Sequence, residues 1–130
     1  MNHLLDTNFV IGLLRGAVSH WNYLNELLER TLPSLSAITR AEIFAGCHPV
    51  EEGATRELLD SFLTSPIGVA IADLAGRYVY QFARRGVTVH LEDALIGATT
   101  VRDGLVLVTA NVRHFPMQSI GRNLIQFPSV

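Results

Sequence analysis

Asp6, Glu42 and Asp93 stand out in a chain that is 48% apolar and only 17% charged. Asp6 closes the apolar run His3-Leu4-Leu5. Glu42 lies in Ser36-Ala37-Ile38-Thr39-Arg40-Ala41-Glu42-Ile43, and Asp93 in Glu92-Asp93-Ala94-Leu95-Ile96-Gly97-Ala98-Thr99. Each acid sits at a strand end or a helix start, where open α/β sheets build their sites. Carboxylates gathered in one cleft repel, and each is partly protonated unless a cation neutralises them. Oxygen ligands favour Mg²⁺ or Mn²⁺. A single cysteine, Cys47, and no histidine pair at ligand spacing disfavour zinc. Taken singly, Asp6 reads equally well as a helix N-cap, its carboxylate fixed by the Thr7 hydroxyl or Thr7 itself capping. Glu42 and Asp93 read as first-turn acids that complement the helix dipole, and Glu92 more so. Three such coincidences together favour a site.

The elements that must position these acids alternate. The pattern predicts a strand over His3–Leu5 and a helix from Thr7 or Asn8 to Arg15, stopped by Gly16. A second helix follows over Ser19–Arg30, with Trp21, Leu24, Leu27 and Leu28 on one face. A short strand is expected over Pro33–Ala37, then a helix capped by Thr39 that carries Glu42. An amphipathic helix is expected over Gly53–Leu63, a strand over Gly68–Ile71 and a helix over Asp73–Arg85. Glu92–Asp103 reads as a helix stopped by Gly104. Leu105–Val108 reads as a strand buried on both faces, and Ile125–Phe127 as a last short strand. This order implies an α/β fold with a mostly parallel sheet covered on both faces.

Bulk composition narrows the class. At 130 residues one domain over 1–130 is expected, large enough for a real core. The net charge of -2 carries no global nucleic-acid signature. All 10 basic residues are Arg, which suits phosphate contact, although codon bias is the leading explanation. One cysteine excludes an intrachain disulfide and points to a reducing cytoplasm. The amino terminus has no basic region ahead of its apolar run, so no leader is expected. No apolar stretch approaches the ~18 residues needed to cross a bilayer.

The motifs resemble those of the PIN-domain ribonucleases, in particular the VapC-type toxins of toxin–antitoxin pairs. The family's opening motif matches Leu5-Asp6-Thr7-Asn8. Its Ser-x-Ile-Thr-x-x-Glu motif matches Ser36–Glu42, with Gly46 four residues on. Its Asp-x-x-Ile-x-Ala-Thr helix matches Asp93–Thr99, and its last motif matches Leu107-Val108-Thr109-Ala110-Asn111-Val112-Arg113-His114-Phe115. Four motifs in order cover essentially the whole chain. One departure matters: the family usually offers an aspartate where Asn111 or His114 stands. Asn111 can ligate through its carbonyl or position a water, but brings no charge. His114 is in reach of phosphate in this motif, or is a surface or packing residue.

The resemblance implies a PIN-like fold and a Mg²⁺- or Mn²⁺-dependent endoribonuclease. Asp6, Asp93 and Glu42 would hold the metal, with Asn111 completing the catalytic set. Arg15, Arg40 and Arg113, each near a motif, are candidates for substrate phosphate, with plain surface charge as the competing reading. It further implies cleavage of a transfer or ribosomal RNA loop, a small cognate antitoxin, and a homodimer. Two other classes compete. Asn111 would mark a degraded site if the chain were an RNA- or protein-binding module. A dehalogenase-like phosphatase also starts from a strand-end Asp but usually wants a second acid two residues on, where this chain has Asn8. Two consecutive apolar helices, carrying Phe9, Val10, Leu13, Leu14, Trp21, Tyr23, Leu24, Leu27 and, on the next, Phe44, are expected to leave a peptide groove beyond what the core absorbs.

Overall fold

The computed structural model describes residues 2–121 and 123–128. β1 (His3–Leu5) leads into α1 (Thr7–Leu14) and α2 (Val18–Leu28). β2 (Ser34–Ser36), α3 (Ala37–Ala45), a 3-10 turn (Pro49–Glu51), α4 (Glu52–Asp60) and β3 (Leu63–Ser65) follow. α5 (Val69–Ala83), α6 (Leu91–Arg102), β4 (Val106–Thr109), a second 3-10 turn (Val112–His114) and β5 (Leu124–Gln126) complete the order. Among the described residues the five strands form one sheet in the order β3-β2-β1-β4-β5, and every pair is parallel. The α/β expectation holds, and the sheet is wholly parallel.

Strand side chains alternate between faces, and the alternation sorts the core into two layers. Leu4 and Leu107, which pair in register, pack with Ile71, Ala75 and Phe82 of α5 and Ala94, Ile96 and Ala98 of α6. Leu5 and Val108, also paired, pack with Leu35 and with Phe9, Val10, Leu13, Leu24, Leu27, Ile43 and Leu59 from α1 to α4. Each of the four central strand residues is fully buried, worth about 1.5–3 kcal/mol apiece. Gly97 of α6 lets Met117 close over the helix, since a Cβ there would come within 3.1 Å of the Met117 thioether. Gly16 and Gly104, at φ 76° and 62°, end their segments as expected.

Two segments depart from the sequence pattern. Gly68–Ile71 is not a strand: Gly68 is the N-cap of α5, which starts at Val69 rather than near Asp73. The apolar run continues at helical spacing through Ile71, Ala75 and Phe82, all buried, and that period outweighs four apolar residues in a row. The strand lies at Leu63–Ser65 instead, because α4 ends at Asp60. β3 is a sheet edge with Leu63 half exposed, so it lacks the apolar signature of a buried strand. Smaller shifts fall at α3, capped by Ser36 and not Thr39, and at β5, which ends at Gln126. No helix among the described residues is long and apolar enough to cross a membrane.

Candidate active site

The chain runs from β1 outward through β2 to β3 on one side, then returns to β4 beside β1. Adjacent loops therefore diverge at the carboxyl ends of β1 and β4, leaving the crevice expected of a doubly wound sheet. Asp6 follows β1 at this point, and Thr109 ends β4 across from it. The Asp6 backbone N–H donates to Val108 O at 2.9 Å, which locks the acid to the strand ends.

Asp6 is the N-cap of α1, and it is also 3% exposed. The capping and site readings of this residue thus coincide. Its Oδ1 accepts from the Thr7 backbone N–H at 2.8 Å, and its Oδ2 accepts from the Thr109 hydroxyl at 2.6 Å. Each oxygen retains a lone pair for a further partner. Burial raises the Asp6 pKa above its ordinary 3.8, opposed by the bonds from Thr109 and Thr7, and reinforced by the negative charge of Asp93.

The Thr7 hydroxyl does not hold Asp6. It donates to Glu42 Oε1 at 2.8 Å and lies 2.9 Å from the Thr39 hydroxyl, which must then donate to it. The contact ties α1 to α3 and points Glu42 back at the crevice. Burial also raises the Glu42 pKa, and Glu92 and Asp6 push it further up, against the Thr7 bond. Asp93 is held in the first turn of α6, its pKa raised by burial and by Glu92 and Glu42, and lowered by His114 and His90. The three predicted acids are therefore brought to one crevice, each made harder to ionise.

His114 lies where the family pattern offers an acid, and its Nδ1 sits 3.2 Å from Asp93 Oδ2. A base here pairs with the acid it would otherwise accompany. Asn111 donates its backbone N–H to Thr109 Oγ1 at 2.9 Å, so its main chain steadies the hydroxyl that holds Asp6. Of the phosphate candidates, Arg40 is engaged by Asp60 at 2.8 Å and packs over Phe44. Arg15 and Arg113 are exposed and make no ion pair among the described residues.

The three carboxylates are the kind of oxygen donor a hard divalent cation takes, and burial before mutual repulsion makes them harder to ionise. Their spacing is open. Among the described residues no three Asp, Glu, His or Cys side chains converge closely enough to enclose an ion.

Thr109 and Thr39 are the site residues that single-residue reasoning passed over. Thr109 belongs to the Leu107-Val108-Thr109 run, but only the sheet brings its hydroxyl to Asp6. Thr109→Val keeps the shape and removes two hydrogen bonds, one to a buried carboxylate and one from the Asn111 N–H. We expect a loss of about 1–3 kcal/mol in urea unfolding, and a 10- to 100-fold loss of divalent-ion affinity by calorimetry, roughly the effect of removing an outer-shell partner. Unchanged ion affinity would remove Thr109 from the site.

The comparisons with known proteins agree with this geometry. The PIN domain family matches residues 3–117. The chain is 33% identical to "Ribonuclease VapC10" of Mycobacterium tuberculosis over 114 residues, 88% of this chain and 86% of that protein. It is 32% identical to "Ribonuclease VapC19" of the same organism over 117 residues, 88% and 92% of the two chains. Among solved structures, a toxin–antitoxin complex from Klebsiella pneumoniae superposes with a TM-score of 0.80 at 25% identity, covering 98% of this chain and 99% of that one. VapBC2 from Rickettsia felis, bound to a promoter DNA fragment, superposes at 0.78 and 20% identity over the full length of both chains. The chain belongs to the PIN-domain family, and its curated relatives here are VapC ribonucleases.

Proposed function

We propose that the protein is a divalent-metal-dependent endoribonuclease and the toxin of a toxin–antitoxin pair. The observation that carries this is Asp6: a carboxylate 3% exposed, clamped on both oxygens at the sheet's switch point, with Glu42 and Asp93 raising the local negative charge. A buried acid with no cationic partner is costly, and a bound cation offsets that cost. Asp6, Asp93 and Glu42 would hold Mg²⁺ or Mn²⁺, which when bound orients a water for in-line attack on a phosphodiester and offsets charge on the phosphate.

The chain's own residues do the rest. Thr7 and Thr109 fix the Asp6 carboxylate in one rotamer. Thr7 and Thr39 fix Glu42 toward the same crevice. Arg15 and Arg113, unpaired among the described residues, neutralise the RNA backbone on either side of the cut. The expected substrate is a single-stranded loop of transfer or ribosomal RNA, where bases are splayed and accessible.

A groove of about 690 Å³ opens beside the acids, lined by Ile11, Leu14, Arg15, Trp21, Glu42 and Val50 among others. It fits the apolar segment of a small antitoxin. The core absorbs Phe9, Val10, Leu24 and Leu27 of the residues expected there, and Leu13, Leu14 and Trp21 line it. A homodimer in the cytoplasm completes the proposal.

Incubation of purified protein with transfer RNA and ribosomal RNA fragments tests the reading. Cleavage is expected with Mg²⁺ or Mn²⁺ and is lost with EDTA. One observation favours the second reading, a binding module: His114 already engages Asp93. Stable RNA retention with no cutting under any divalent ion would establish that reading instead.

A further inference from the structure

A smaller cavity, of about 130 Å³, adjoins the groove along α1, with Ile11 and Arg15 lining both. Asn8, Gly12, Arg15, His20 and Asn111 line it. Its lining starts two residues beyond Asp6 on α1 and one residue beyond Thr109 in the loop after β4, so the cavity flanks the carboxyl ends of β1 and β4. At roughly 10–15 Å³ of such space per water molecule, the cavity holds about ten waters, room enough for one planar ring.

Its walls are polar, and the His20 ring among them is fixed in place. Neither the Asn8 nor the Asn111 carboxamide makes a hydrogen bond among the described residues, although the Asn111 backbone is anchored to Thr109. Each amide offers two donors and an acceptor. His20 is 2% exposed and is stacked on Phe9 with centroids 4.9 Å apart, with Phe127 edge-on at 4.6 Å. Ser19 Oγ lies 3.2 Å from its Nδ1. The ring reaches the cavity only because residue 12 is glycine: a Cβ there would come within 2.4 Å of His20 Cδ2 and 2.6 Å of Nε2. Arg15, exposed and without an ion pair among the described residues, stands about two helical turns beyond Asn8.

We infer that this cavity is a base-binding subsite for the RNA substrate, taking one unpaired nucleobase next to the scissile phosphate. Asn8 and Asn111 read the edge of the base, the fixed His20 ring forms the wall, and Arg15 meets the adjoining phosphate. Paired carboxamides suit the mixed donor and acceptor edge of a base, whereas an ion would demand charged ligands. Unstacked loop bases are what such pockets take in RNA. The inference rests on the nuclease reading above and adds the site of its sequence selectivity.

Sequencing of cut sites in an RNA loop library, randomised at each position around the cleavage point, tests it. One base at one position within two nucleotides of the cut is expected to be enriched at least about 5-fold, the lower end of what one base-edge contact contributes. Asn8→Ala and Asn8→Asp should erase or change that preference while preferences elsewhere in the loop persist. A preference identical in wild type and both variants overturns the subsite. A second arm needs no cleavage: side-chain amide resonances followed by NMR in metal-free protein, titrated with each nucleoside 5′-monophosphate and with ribose 5-phosphate. Shifts of the Asn8 and Asn111 amides that depend on the base, and are absent with ribose 5-phosphate, support the subsite even if the chain cuts nothing. Equal shifts with ribose 5-phosphate, or none, overturn it whether or not the nuclease reading stands.

Discussion

Asp6→Asn is expected to lose at least 100-fold in RNA cleavage while making the metal-free protein more stable. The activity loss follows from removing the one fully buried charge at the switch point, and is comparable to losing a single preorganised charge-stabilising group. Asp93→Ala should match it, relieving growth inhibition on expression without unfolding the domain, because Asp93 sits in a first helical turn and contributes little packing. The stability gain follows from burial. Asn keeps an acceptor for the Thr7 N–H, and its amide can donate to Thr109, so the loss is confined to the Thr109 hydroxyl proton, which gives up its acceptor. What disappears is a carboxylate whose folded-state pKa is raised above 3.8.

A raised acid favours folding most where it is protonated, below its unfolded value, and that contribution is lost as pH rises through the folded value. At neutral pH the wild-type carboxylate therefore costs stability. The substitution should raise the melting temperature in EDTA at pH 7 by a few degrees, with about 1 kcal/mol giving roughly 3–5 °C for a chain of this size. The difference should shrink as pH falls below 3.8, where Asp6 becomes protonated in both states. Mg²⁺ or Mn²⁺ should stabilise wild type and leave the variant unmoved. A variant that melts lower at pH 7 would show that the buried charge is already compensated within the fold. A folded Asp93→Ala protein that still cleaves would remove Asp93 from the chemistry.

The second large effect concerns the groove. Leu14 ends α1 and is 40% exposed, so a polar residue there costs the fold little. In a complex it would bury an unpaired charge against an apolar partner face. Leu14→Glu should weaken binding of the neighbouring-gene antitoxin by at least about 30-fold, as expected for a hot-spot position worth about 2 kcal/mol or more. Because Leu14 takes no part in the hydrogen bonds that hold Asp6 and Glu42, RNA cleavage should persist. Cells co-expressing the pair would then remain inhibited. Titration calorimetry of the complex and growth of the co-expressing strain give the two readouts. Undiminished affinity would move the partner to another face, and a wild-type chain that captures no small partner while cutting RNA harmlessly would separate the nuclease from the toxin reading.

Much of the architecture was legible from the sequence because it rests on local pattern. Alternation of strands and helices implies a parallel sheet, and the buried runs at Leu4–Leu5 and Leu107–Val108 mark its centre. The positions of Asp6, Glu42 and Asp93 were legible for the same reason: each follows a strand or opens a helix, and their combined motifs carry the family resemblance. Only the tertiary structure decided what each acid touches. Thr109 is 103 positions from Asp6, and no local period connects them, yet adjacent parallel strands bring their ends within hydrogen-bonding distance. The Thr7 hydroxyl, beside Asp6 in sequence, serves Glu42 instead, because helix geometry carries it toward α3. The edge strand at Leu63–Ser65 hid for a related reason, since an exposed edge needs no apolar alternation to pair. His20 read as a residue on an amphipathic helix; that it forms the wall of a cavity beside Asn8 and Asn111 depends on Gly12, whose missing side chain matters only once α1 and α2 are packed together.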